Sequence, residues 1–386
     1  MSIRKLRGSP SLPQRFAQPR KGIAMNPQRK HTARHALIFL FKSAVAALLL
    51  FLLLRKTRYQ DFAESLRGVI WWWLAAAASL HIVGYVFSAH RWRILLLAQG
   101  LRPSLCQLIK SYVIATFFNT ILLGTVGGDI YRVYDSGVKS KKGAEAVSAV
   151  FIERLTGVAA IMILAAVGML LLLTGPTRLS ASAFWSVGAG IGICAVVFLG
   201  LVAVLLVLLH PRTAKRIAAI LDRPAPLFGK LRKIVLSLHA AVTVYRSNRR
   251  PIYKNLLWAA ALQLNVIAHW LLIGLAMGSS LHLRTNPLYY LYNYMIIVPA
   301  LTLVLMIPVT PGGFGVREWT VWAFRTPLGF VAGAGRDTAA LMGWLQVATV
   351  LFFGIIGFLM FLFRLFSVRR SRAQQVVPGK AAPPEG

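Results

Sequence analysis

The sequence predicts an all-α, polytopic membrane bundle of about seven or eight spanning helices, with one or two broken or re-entrant segments. Three observations predict it. Of 386 residues, 57% are hydrophobic and only 14% charged, giving a mean hydropathy of +0.64. The apolar residues gather into runs of about 20, the length at which a helix matches a hydrocarbon layer of about 30 Å. Between the runs lie two stretches dense in glycine or proline, through which a regular helix does not continue.

The runs are taken in chain order. The first extends from His35 to Leu54, broken only by Lys42, and the second from Val69 to Ser88, opening on Trp71, Trp72 and Trp73. Indole rings favour the headgroup level, so the triplet marks an interface. Then come Ala146 to Thr174, Ala183 to Leu209, Asn255 to Met277, Leu288 to Ile307 and Thr338 to Phe363. Leu105 to Leu123 and Glu318 to Phe330 are short or polar for spanning helices.

Forty-four Lys and Arg against ten Asp and Glu give a net charge of +34. No nucleic-acid partner is expected, because the bases flank the runs and no nucleic-acid module accompanies them. They crowd the tail 1–34, the loop between His210 and Lys254, and the end after Phe363, which passes into a basic, Pro-rich tail at 367–386. That is the positive-inside pattern, which places both termini in the cytoplasm of a cell-membrane protein, in a bacterium the inner membrane, with the transmembrane domain at 35–366. The N-terminal run lacks a cleavage signature and reads as a retained helix, and Met25 offers a second start. Segment 211–248 alternates basic and apolar residues and reads as two amphipathic cytoplasmic helices parted at Pro224 and Pro226. Cys106 and Cys194 sit in apolar segments, so packing is expected of them rather than a disulfide or metal site.

An even number of crossings follows if both tails are cytoplasmic. Glu318 to Phe330 then crosses, and Leu105 to Leu123 enters and leaves one face as a hairpin, or lies in the interface. A basic loop from Arg55 to Arg67 on the far side is the exception, partly offset by Asp61 and Glu64.

The two interrupted stretches are Leu123-Gly-Thr-Val-Gly-Gly-Asp-Ile-Tyr-Arg132 and Pro308-Val-Thr-Pro-Gly-Gly-Phe-Gly-Val-Arg-Glu318. Paired interrupted segments in the halves of a transporter mark a substrate site, since unwound backbone and half-helix ends bind charge within the membrane. Two cytoplasmic turns are the alternative reading. The acids cluster at the same places, as Asp129, Asp135, Glu145 and Glu153, and then Glu318. Intramembrane charge needs a partner or water. Glu145, Glu153 and Thr156 form one helical stripe, expected to face the bundle interior. Glu153 is expected to reach Arg132 or Arg317, and Arg154 to reach Asp129 or headgroups. Tyr112, Thr116, Asn119 and Thr120 form a second stripe, either a cavity wall or the wet face of an interfacial helix. Asn265 and His269, at i and i+4, read as interhelical hydrogen-bonding residues. Tyr289, Tyr290, Tyr292 and Tyr294 with Trp319 and Trp322 read as interface belts.

The interrupted stretches resemble the signatures of the lysylphosphatidylglycerol synthase transmembrane-region family, a flippase-like group. The residues that carry the resemblance are Asn119, Gly127, Gly128, Asp129, Arg132, Glu153, Arg154, Pro311, Gly312, Gly313, Gly315, Arg317 and Glu318. It spans about Leu37 to Phe363, and departs where Leu123 replaces the family's usual proline. In bifunctional relatives this membrane region precedes a soluble aminoacyl-transferase domain, for which nothing after Phe363 provides, so lysyl transfer is not expected of this chain. The resemblance implies translocation of a lipid or lipid-linked substrate between leaflets, with those thirteen positions as the substrate-binding set. The arginines suggest anionic or phosphate-bearing membrane lipids, and enzymes of a lipid pathway are candidate partners. No cofactor and no metal is expected. Alternatives are a membrane-embedded headgroup or glycosyl transferase, with Asp129 or Glu318 as base or metal ligand, and an accessory subunit of a lipid pathway.

Overall fold

The computed structural model describes residues 66–121, 126–138, 142–174, 210–220, 226–277, 287–306 and 336–375, with isolated positions in 192–203 and 310–321. All lie in the larger of two compact units, Lys42–Gly386, and none in Met1–Phe41. The expected helix at His35 to Leu54, and most of those at Glu318 to Phe330 and Ala183 to Leu209, fall outside the described residues. So do both tails, apart from the helix end reaching Gln375.

Within the described residues the chain is helical throughout. The elements are α1 (Trp71–Ala98), α2 (Leu105–Ile121), α3 (Val126–Val133) with a π-helical turn (Tyr134–Val138), α4 (Gly143–Thr174), α5 (Pro211–Ile220), α6 (Pro226–Ser247), α7 (Arg250–Ala276), α8 (Pro287–Met306) and α9 (Arg336–Gln375). Helix α1, α4 through Leu171, α7, and α9 from Leu341 to Ser367 are each long and apolar enough to cross a membrane. The protein is a multi-pass helical membrane bundle. Trp71 and Trp72 are exposed at the start of α1, as interfacial indoles would be.

Helices α1 and α7 form an antiparallel pair in register along their whole length. At one end Ile70 N donates to Ala276 O at 2.7 Å. Then His269 Nδ1 meets Ala77 O at 2.7 Å, Asn265 Nδ2 donates to Leu80 O at 3.0 Å, and Asn255 Nδ2 donates to Arg91 O at 2.8 Å. Asn265 and His269 are therefore the interhelical bonding pair their spacing suggested, and His269 Nε2 also meets Gln346 Oε1 on α9 at 2.5 Å. Without water competing, such polar contacts fix which helices pair. Small residues let the backbones approach, and Ala77, Ala89 and Ala259 are fully buried. Helix α8 packs antiparallel on α4, with Gly168 against Met295 and Val158 and Ile161 against Leu303.

The short apolar helix α2 does not cross the bundle. It enters beside the end of α1, and α3 with its π turn brings the chain back to the same end, where Lys142 Nζ lies 3.3 Å from Gly100 O. The pair is a helical hairpin. Gly128 allows it to close: a Cβ there would stand 2.8 Å from the Ala115 carbonyl oxygen and 2.6 Å from Asn119 Oδ1. Instead Asn119 Oδ1 accepts the Gly128 N–H at 2.7 Å. Helix α9 braces the hairpin from behind, with Gly357 against the Val113 backbone and Arg364 Nη2 on Asp135 Oδ1 at 2.5 Å.

The amphipathic segment is the expected pair of helices, α5 and α6, separated around Pro224 and Pro226. Tyr245 of α6 is buried against α1 and donates to Leu95 O at 3.1 Å. Burial pushes its hydroxyl up to about 12, with hydrogen bonding to Gln99 and Ser148 acting the other way. Three sequence expectations change. The second run does not end at Ser88, because α1 continues to Ala98; Tyr294 is buried in the core rather than belted at an interface; and Cys106 is exposed. Tyr294 turns inward because α8 packs that face on α4 and α7.

Candidate functional site

The site begins with a charged residue that the bundle could not bury alone. Arg132, on the return arm of the hairpin, is 3% exposed. Its Nη2 pairs with Glu153 Oε2 and its Nη1 lies 3.1 Å from Asp129 Oδ1. Its guanidinium lies 4.3 Å from the Trp92 ring centroid and 4.1 Å from that of Tyr112. Two carboxylates and two π faces therefore surround one cation. Glu153 is satisfied in turn, accepting Tyr112 Oη on Oε1 at 2.5 Å.

A second pair lies nearer the open side. Arg154 Nε and Nη2 both donate to Asp129 Oδ2, at 3.0 and 2.7 Å. Here the side chains are 32% and 22% exposed, against 4% and 9% for Arg132 and Glu153. The deep pair is sheltered from water and the shallow pair is not. Breaking a sheltered pair costs about 3–5 kcal/mol, whereas an exposed one contributes about 0–1 kcal/mol. Neighbours in sequence, Glu153 and Arg154 point to different partners, as a helix requires.

Of these groups, Tyr112, Arg132, Glu153 and Arg154 border a cavity of about 400 Å³ between the helices. Tyr112, Thr116, Asn119 and Thr120 line one wall, which makes the stripe on α2 a cavity wall. Glu153 and Arg154 come from α4, and Gly313 and Arg317 from the second interrupted stretch. That stretch turns by backbone conformation: Gly313 and Gly315 have φ of +72° and +78°, which favour glycine. Gly313 N donates to Thr310 O at 3.2 Å and Arg317 N to Gly313 O at 3.1 Å. The turn ends with Arg317, 8% exposed, on the cavity wall.

Of the sequence-predicted set, Asn119, Arg132, Glu153, Arg154, Gly313 and Arg317 line this one cavity. Gly127, Gly128, Asp129 and Gly315 shape its surroundings without forming its wall. Pro311, Gly312 and Glu318 lie outside the described residues. Of the stripe on α4, Glu153 faces the cavity and Thr156 is buried beside it, while Glu145 borders a separate groove with Gln99 and Ser237. Among the described residues no three His, Cys, Asp or Glu side chains converge at metal-binding distance.

Sequence reasoning missed Arg91, which is 4% exposed and lines the cavity from α1. Its signal was present, since His81, Ser88 and Arg91 recur at helical spacing on one face. Arg91 lies beyond Ser88, where the expected apolar run ends. Sequence reasoning assigned Asp135 no partner: Ser111 Oγ donates to it, and it pairs with Arg364, which reads in sequence as part of the basic end.

A family model described as "Lysylphosphatidylglycerol synthase TM region" matches residues 39–357. No curated protein and no solved structure matches the chain.

Proposed function

The chain belongs to the lysylphosphatidylglycerol synthase TM-region family, and on that premise we propose that it binds a phosphate-bearing lipid headgroup in this cavity and carries it between leaflets. One observation supports this above the others. Arg132, Glu153 and Arg154, at the first interrupted stretch and the helix beside it, share a cavity with Gly313 and Arg317 of the second. Interrupted segments facing each other across a cavity are how transporters present backbone dipoles and charge to a cargo in lipid. The planar guanidinium fork matches phosphate oxygens. At about 400 Å³ the cavity is at the small end of ligand sites, which run about 300–1,000 Å³, so it suits a headgroup with acyl chains left outside. In this reading the protein sits in the cytoplasmic membrane with both termini inside, supported by the basic segments at 1–34, 210–254 and 367–386.

Reconstitution into liposomes carrying fluorescent phosphatidylglycerol or a fluorescent polyprenyl phosphate tests the reading. Wild type accelerates exchange between leaflets, and Asp129→Ala and Arg317→Ala, each monodisperse in detergent, slow it. Unchanged exchange in both variants would remove the site assignment. A new lipid species formed from donor substrates would favour the transferase alternative.

A further inference from the structure

We propose that Arg91 anchors the headgroup phosphate; this rests on the lipid-binding reading of the cavity and assigns its central contact to a residue outside the family motifs. Arg132 is the obvious anchor, but its guanidinium is committed: both Nη atoms hold carboxylates, and the Trp92 and Tyr112 rings pack against it. Arg154 gives two of its N–H groups to Asp129. Both arginines therefore meet a ligand already neutralised.

Arg91 is different. Among the described residues no carboxylate lies within ion-pair distance of it. Its hydrogen bonds all leave from Nη2 and reach neutral oxygens: Glu153 O at 3.0 Å, Thr156 Oγ1 at 3.4 Å and Asn255 Oδ1 at 3.4 Å. Nε is buried with no acceptor, a feature it shares with Arg132, so the difference between the two lies in the carboxylates. A guanidinium stays charged in proteins, and a charge at this depth calls for an opposite one. The cavity it lines is where an anion can supply it.

Its neighbours keep partners without it. The one Thr156 hydroxyl proton can serve Asn255 Oδ1, 2.6 Å away, and the Glu153 carbonyl is a backbone acceptor within α4. Besides the Arg91 side chain, α1 and α7 are joined at this level by Asn255 Nδ2, which donates to the Arg91 carbonyl at 2.8 Å. A side-chain substitution leaves that bond in place.

The test titrates the full chain in detergent with dihexanoyl phosphatidic acid, with dihexanoylglycerol, which lacks the phosphate, and with inorganic phosphate, following the melting temperature with and without each. For Arg91→Gln, phosphatidic acid affinity is expected to fall by about tenfold or more, the loss of one charge-assisted hydrogen bond. Dihexanoylglycerol affinity stays as in wild type, and Arg91→Lys recovers part of the loss. Phosphatidic acid binding to Arg91→Gln as to wild type would overturn the proposal. So would equal loss of both lipids with a lowered ligand-free melting temperature, which marks a structural role. Inorganic phosphate binding as tightly as phosphatidic acid would assign the site to a free anion and overturn a lipid anchor. Wild type that binds no phosphatidic acid would instead remove the cavity reading itself.

Discussion

The two interrupted stretches reach the same cavity by different physics. The first is a helical hairpin held by side chains from other elements: Glu153 on Arg132, Arg154 on Asp129, and Arg364 on Asp135, the last pair 229 residues apart. The second turns by its own backbone, through glycines at φ of +72° and +78°. The first depends on distant partners and the second on local conformation. Substitutions should therefore fail in different ways in the two places.

The largest effect is expected at the deep pair. Glu153→Gln leaves Arg132 buried with weaker compensation and should lower stability by about 3–5 kcal/mol. Guanidine-free thermal unfolding in detergent checks this, and joint replacement by Arg132→Met and Glu153→Met should restore much of the loss. A stable single variant would mean the hairpin does not rest on this pair.

Next come the glycines, which separate space from conformation. Gly128→Ala drives a Cβ against the Ala115 carbonyl and should cost about 1–3 kcal/mol. Gly313→Ala should cost about 1–2 kcal/mol for its left-handed backbone, since the Cβ would meet only the movable end of Leu305. Asparagine tolerates that conformation, so Gly313→Asn should melt above Gly313→Ala, whereas Gly128→Asn should melt below Gly128→Ala. The same order at both sites would erase the distinction drawn here.

Smaller still is the shallow pair. Arg154→Gln should change stability by about 1 kcal/mol or less, because that pair is partly exposed, while lipid exchange falls. A large fall in melting temperature would make Arg154 structural. The smallest effect belongs to Tyr245, away from both stretches. Its folded hydroxyl titrates higher than its unfolded one, so its contribution is complete below about pH 10 and fades as pH rises toward 12. Tyr245→Phe should flatten that part of a melting-temperature profile measured against pH.

Much of this was legible in the sequence because it is local. Hydrophobic length placed α4, α7 and α8 within a few residues, and glycine and proline marked both interruptions. Helix geometry alone required Glu153 and Arg154 to seek different partners, and the structure supplies Arg132 and Asp129. What was not legible depends on which helices become neighbours. Arg91 lies past the expected end of the second run at Ser88, and it enters the bundle only because α1 runs seven residues beyond it to Ala98, alongside Asn255 of α7. Arg364 looked like part of the basic end until α9 brought it to Asp135. Hydropathy has no term for such pairings, which lie between elements far apart in sequence.

The central claim is that both interrupted stretches border one headgroup-sized cavity. Thr116 of the hairpin and Thr302 of α8, just before the second stretch, lie on its wall. In a background with Cys106→Ser and Cys194→Ser, Thr116→Cys and Thr302→Cys should each react with a small hydrophilic thiol reagent. Phosphatidic acid should protect both over the same concentration range. Protection of only one, or at well-separated concentrations, would contradict a shared site.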